Sequence, residues 1–284
     1  MICRFVVAAR AAVLAAPLVL AGCGLFSNEK PQAKFDPNTV PVEELYNSGV
    51  DLLNAKHYGD AAKKFDVIEE NYPYSAWAVN AQLMEGYAKY LQRKYTDAIG
   101  ALDRFIQLHP TNKDIAYAYY LRALSYYEQI EDIQRDQKGT ELAMTALQEV
   151  VNRFPDSAYG RDARLKIDLC RDHLAGKEMA IGRFYQNQHL YAAAINRFQR
   201  VVDLYQTTNH VPEALHRLTE IYLKLGMPEE AKRTAAVLGH NYPGSRWYED
   251  SWNQLVEDRQ IKGHPVGNAD NSPGFFGSAF GWMF

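Results

Sequence analysis

The sequence predicts an all-α superhelix of about five stacked helix pairs, its two halves joined by a long helix. Three observations predict it. A Tyr with Ala three places later recurs at Tyr58/Ala61, Tyr95/Ala98 and Tyr191/Ala194, and Pro228 with Ala231 makes a related piece. Twelve residues beyond Ala61, Ala98, Ala143, Ala194 and Ala231 stand Pro73, Pro110, Pro155, Gln206 and Pro243, so four of five repeats stop on proline. From each Ala, the residues at plus four, seven and eleven are apolar or aromatic, as in Ala61-Phe65-Ile68-Tyr72 and Ala194-Phe198-Val201-Tyr205. Steps of four, three and four mark one face of an α-helix.

Each Ala-centred segment is the second helix of a pair, and the proline behind its last aromatic ends it. The first helix carries a small residue twelve places before the Ala: Gly49, Gly86 and Gly182, with Thr219 a looser fit and Ala123 the shifted equivalent in repeat three. These features resemble the tetratricopeptide repeat, with its small eighth residue, Ala at the twentieth and Pro at the thirty-second position, in a period of about 34. Five such repeats cover 42–245, and since one pair cannot bury its own faces the array must stack. Two intervals exceed the 37-residue spacing. The first places a charged insertion, QIEDIQRDQK, at 129–138. The second falls in 158–175, which keeps helical periodicity without proline, so 158–187 reads as one helix joining repeats 1–3 (41–157) to repeats 4–5 (to 257), with Gly176 a place where it could bend.

The two ends differ from the middle. Arg4 and Arg10 precede an apolar run at 11–21, whose eleven residues would span about 16 Å as a helix, roughly half of a bilayer core. The run therefore reads as a signal-peptide core, residues 1–22 being removed. Leu20-Ala21-Gly22-Cys23 resembles a bacterial lipobox, which makes Cys23 the lipidation site and residues 23–40 a solvated tether. Several acyl chains anchor a protein stably where one alone is marginal. Gly24 in place of Asp favours delivery to the outer membrane, by resemblance to enteric lipoproteins. With Cys3 removed and Cys23 acylated, Cys170 has no disulfide partner and reads as a small buried hydrophobe. Residues 258–284 read as a flexible tail ending in the alternating aromatics Phe280, Trp282 and Phe284. Such a tail is either a plain solvated or docking segment or an occupant of the chain's own groove.

Chemistry is sparse. None of the nucleotide, hydrolase or zinc-protease motifs occurs, the eight His are scattered, and His210 and His216 are poorly spaced for one metal. The chain reads as a non-enzyme without metal or cofactor. Its net charge of −3 disfavours nucleic acid as a partner.

In tetratricopeptide arrays the first helices line the concave face. The corresponding positions are Tyr46 and Leu53 in repeat one, Asn80, Leu83, Tyr87 and Tyr90 in repeat two, and Tyr117, Tyr120, Leu124 and Tyr127 in repeat three. A surface rich in Tyr, rigid and apolar with a polar tip, suits an extended peptide with aromatic side chains. The same positions further on are Met179, Arg183, Gln186, Glu213, His216 and Glu220, a more charged set that implies a second partner.

A lipobox followed by these long repeats resembles the BamD family, the lipoprotein subunit of the outer-membrane β-barrel assembly machinery. The resemblance spans roughly 23–256. It is carried by VEELYNSG at 42–49, YGDAAKKF at 58–65, LAGKE at 174–178, GRFY at 182–185 and AAINRF at 193–198. It implies a lipid-anchored periplasmic scaffold of the outer membrane. The N-terminal half would receive C-terminal strands of unfolded barrel proteins, and also accessory lipoproteins. The C-terminal half would dock on the periplasmic domains of the central barrel subunit, with Arg197 and Arg183 at that contact. Gln206, where the pattern keeps Pro, is a departure. The competing readings are a pilotin-like tetratricopeptide lipoprotein that escorts secretins, which would lack the long joining helix, and a superhelical muramidase, for which too little chain remains after repeat five.

Overall fold

The computed structural model describes residues 40–262, which lie in one compact unit beginning at Val40. Cys23, the signal segment, the tether up to 39 and residues 263–284 of the tail lie outside the described residues. Eleven helices account for the described fold, and no strand occurs among these residues: α1 (Val42–Asn54), α2 (Tyr58–Asn71), α3 (Ala76–Leu91), α4 (Tyr95–Leu108), α5 (Ile115–Tyr127), α6 (Lys138–Arg153), α7 (Ala158–Asn187), α8 (Tyr191–Leu204), α9 (Val211–Lys224), α10 (Pro228–Asn241) and α11 (Arg246–Glu257). Helices α1 to α10 each pack most closely on a chain neighbour, α11 packs most closely on α9, and the odd-numbered helices touch one another in the series α1–α3–α5–α7 and again at α9–α11. The first helices of the pairs therefore form an inner layer and the second helices an outer one.

The small residues explain the pairing. A methyl group added at Gly49 would lie 2.7 Å from the Phe65 ring, one at Gly86 would lie 2.8 Å from Leu102, and one at Gly182 would lie 2.5 Å from Phe198. The three partners are fully buried, so they have nowhere to retreat. In these three pairs the second helix thus seats one large side chain in a notch that only glycine leaves open.

Helix starts and stops follow local chemistry. Ser75, Ser157 and Ser245 cap α3, α7 and α11, accepting from the backbone N–H of Trp77, Gly160 and Trp247. Past the ends of α1, α3, α7, α9 and α11 the chain turns through a left-handed residue: Lys56, Arg93, His189, Gly226 and Arg259. Only one of the five is glycine, so the other four carry the side-chain penalty of that conformation.

Two apolar cores are shared out along the array. One gathers residues from Leu83 to Cys170, the other residues from Ala175 to Leu255. The 30-residue α7 runs unbroken through Gly176 and contributes Ala163, Ile167 and Cys170 to the first core, Ala175 and Met179 to the second. Cys170 is a buried free thiol whose pKa burial pushes up to about 11. The repeat pattern stops at Pro243, yet α11 follows it, burying Tyr248, Trp252 and Leu255 against α9 and α10, and Ile261 still packs on that core. This helix closes the open end of the stack.

Candidate functional site

Tyrosines from three inner helices form a continuous strip. The Tyr87 ring of α3 lies 6.4 Å from that of Tyr117 on α5, Tyr117 lies 5.6 Å from Tyr159 on α7, and Tyr159 lies 5.2 Å from Tyr120. All four are part-buried. The Tyr120 hydroxyl donates to Asp162 of α7. Beyond it, the Lys166 ammonium sits over the Tyr127 ring at 5.1 Å and pairs with Asp162 at 3.5 Å. Tyr90 packs beside Tyr95 at 5.7 Å.

Burial raises the phenol pKa of Tyr90, Tyr117, Tyr120 and Tyr127, helped at Tyr120 by the bond to Asp162 and at Tyr90 by Glu128. These four phenols therefore stay protonated, and present aromatic faces with hydroxyl edges that can donate or accept.

The other expected groove positions divide. Asn80 is exposed on α3. Tyr46 stands apart from the strip, its ring between Phe65 (5.6 Å) and Trp77 (4.9 Å), and burial raises its pKa. Leu83 corrects the expectation of a groove side chain: at 8% exposure it belongs to the first core. In the C-terminal half Met179 and His216 are buried too, and are not groove positions.

Tyr159, Asp162 and Lys166 were absent from the expected set, because the start of α7 read as a connector. A signal for them exists. Pro73-Tyr74-Ser75-Ala76-Trp77, Pro155-Asp156-Ser157-Ala158-Tyr159 and Pro243-Gly244-Ser245-Arg246-Trp247 share proline, capping serine and an aromatic at fixed spacing. The first two turns of α7 thus start as the inner helix α3 and the closing helix α11 do, and α7 stacks on α5.

The C-terminal half presents ion pairs in place of rings. Arg183 donates to Glu213 across α7 and α9 at 2.9 Å, and Gln186 donates to Glu220 at 2.7 Å. Burial disfavours the Glu220 carboxylate, but hydrogen bonds from Lys224, Gln186 and Arg217 outweigh it and hold the pKa below the usual range. Arg197 of α8 donates to the buried Glu178 of α7 at 3.0 Å, and Arg200 approaches the other oxygen of Glu178 at 3.4 Å. Arg197 is thus a tie between α7 and α8 with one edge open. Asp66, Glu69 and Glu85 bring carboxylates together at α2 and α3, where Lys89 and Arg104 neutralise Glu85. No described helix is long and apolar enough to cross a membrane.

Helix pairs stacked around an inner aromatic strip define a tetratricopeptide-type scaffold, a class that holds extended segments along its inner helices. The family model described as YfiO, outer membrane lipoprotein, matches residues 38–238. The chain is 50% identical over 252 residues to the outer membrane protein assembly factor BamD of Caulobacter vibrioides, covering 89% of this chain and 81% of that one. It is 47% identical over 251 residues to the BamD of Rickettsia prowazekii, covering 88% and 96%. The chain belongs to the BamD family of outer membrane lipoproteins. Among solved structures, the P58(IPK) TPR domain aligns at 16% identity over 76% of this chain and 56% of that one, with a TM-score of 0.39. None of the relatives described here is a pilotin, and the unbroken α7 is the feature that reading would lack.

Proposed function

We propose that this protein is an outer membrane protein assembly factor: a lipid-anchored periplasmic scaffold, acting without catalysis, that recognises unfolded β-barrel proteins and supports their insertion. The observation that carries the reading is the tyrosine strip across α3, α5 and α7. Aromatic faces with hydroxyl edges grip alternating aromatic residues and satisfy the main-chain groups of an extended strand, the form in which C-terminal barrel segments arrive. Accessory lipoproteins are further partners for this half. The charged edge of the C-terminal half, with Arg183 and Arg197, docks on the periplasmic domains of the central barrel subunit. Lipidation of Cys23 after removal of 1–22 holds the scaffold at the outer membrane, residues 23–40 acting as tether and 258–284 as tail.

The test is affinity purification of the tagged chain from gently solubilised envelopes. The expected result is recovery of a large barrel protein with repeated periplasmic domains, lost on Arg183→Glu while helicity is retained. A secretin, or no membrane protein, would overturn the reading.

A further inference from the structure

Successive inner helices touch elsewhere, but α7 and α9 approach each other less closely. Long side chains span the gap, Arg183 to Glu213 and Gln186 to Glu220. At its N-terminal end a cavity of about 360 Å³ opens. Tyr127, Ile133 and Leu169 supply apolar walls, and Leu169 is 57% exposed, a large hydrophobic side chain with nothing covering it. Gly176 forms the floor, where a methyl group would lie 3.3 Å from His210 Nε2 and narrow the space. The rim carries Arg183, His173 and His210 against the single carboxylate of Asp172.

Arg183 on that rim keeps donors to spare. Arg183 commits Nη1 to Glu213 and retains other guanidinium N–H groups. His173 Nε2 donates to the Glu131 carbonyl at 2.9 Å, which leaves Nδ1 an acceptor. His210 Nε2 stands 3.8 Å from Asp172, beyond hydrogen-bond distance. The 129–138 insertion builds the pocket: its Glu131 and Gln134 carbonyls accept from His173 and Lys177 of α7, which seats Ile133 against Gly176.

Tyr127 belongs to both the strip and the cavity wall, so the two surfaces are continuous. We infer that this cavity is an anchor pocket for the same bound segment. It takes one large apolar side chain, while the uncommitted N–H groups of Arg183 hold a carboxylate on the adjoining residue. The inference rests on the strip's binding an extended peptide and assigns what lies at its end. Apolar walls with a few convergent donors are the ordinary make-up of a specific side-chain site, and a carboxylate gains more from such donors than its neutral amide does.

The probe is a fluorescent peptide, Gly-Tyr-Gly-Tyr-Gly-Trp-Glu-Gly with an amidated end, titrated into the full chain by anisotropy. We expect Trp→Ala in the peptide to weaken binding at least tenfold and Glu→Gln about fivefold. Leu169→Glu in the protein, at an exposed position that leaves folding intact, should weaken the parent peptide tenfold. It should also abolish the difference between the Trp and Ala peptides. The pocket is overturned if Leu169→Glu leaves affinity unchanged, or if the Trp-to-Ala loss is equal in both proteins. A Tyr117→Ala, Tyr159→Ala variant separates the two levels: weakening there alone keeps the strip and removes the pocket, whereas no weakening by any variant removes both.

Discussion

Gly182 of α7 lies so close to the Phe198 ring of α8 that a methyl group at 182 would stand 2.5 Å from Phe198 Cε1. That contact fixes how deeply α8 settles on the joining helix. Gly182→Val should lower unfolding free energy by roughly 3 kcal/mol, since Phe198 is fully buried and the overpacking has no outlet. Gly100, with nothing within 4 Å of the added carbon, is the control. Gly100→Ala should raise stability by about 1 kcal/mol through helix propensity alone. Urea unfolding of the two variants checks both signs.

The Arg197–Glu178 tie makes a second prediction. Arg197→Gln leaves the buried Glu178 with Arg200 as its remaining partner, and should cost about 1 kcal/mol or somewhat more. The double variant Arg197→Gln, Glu178→Gln should recover most of that loss. A double-mutant cycle read by urea unfolding gives the coupling; additive losses would mean the pair is idle.

The left-handed cap residues offer stabilising changes. Lys56→Gly and Arg93→Gly, at φ of 62° in both, should each raise stability by roughly 0.5–1 kcal/mol. Gly226→Ala, at φ 70°, should lower it by a similar amount. Melting temperatures of the three variants should move in opposite directions accordingly.

Acid should loosen the closing helix. His216 of α9 is buried, its Nδ1 2.8 Å from the Ser251 hydroxyl of α11, and its ring faces Trp247 at 5.2 Å. Burial, then Arg217, lowers its pKa, against the opposite pull of Glu220, Asp250 and Glu213. A histidine with a depressed folded pKa binds its proton more readily when unfolded. Its stabilising contribution is complete above the ordinary value of 6.5 and shrinks as pH falls from there towards the folded pKa. Melting temperature should therefore drop between about pH 7 and pH 5, and His216→Gln should flatten that part of the profile.

The repeat was readable because its marks are steric. Gly49, Gly86 and Gly182 answer Phe65, Leu102 and Phe198 through backbone approach, and each proline interrupts a hydrogen-bond ladder, so both leave a trace in the order of residues. The strip was readable in part. Tyr87, Tyr117 and Tyr120 lie where the pattern put them, but Leu83, Met179 and His216 turned inward, because a small rotation of a helix moves a side chain from rim to core. Tyr159 escaped because its helix carries two roles, and only the shared Pro-x-Ser-x-aromatic spacing separates them. The pairing of Arg197 with Glu178 joins residues nineteen apart on different helices and leaves no local mark.

One helix, α7, is walled into both cores, with Cys170 in one and Ala175 in the next. At about 1.5 Å per residue its 30 residues make a rod about 45 Å long. A rod gripped at both ends works as an axle. No loop interrupts it between Tyr159 and Arg183, so one helix fixes the spacing of the two surfaces. Severing the axle would strip a wall from each core at once.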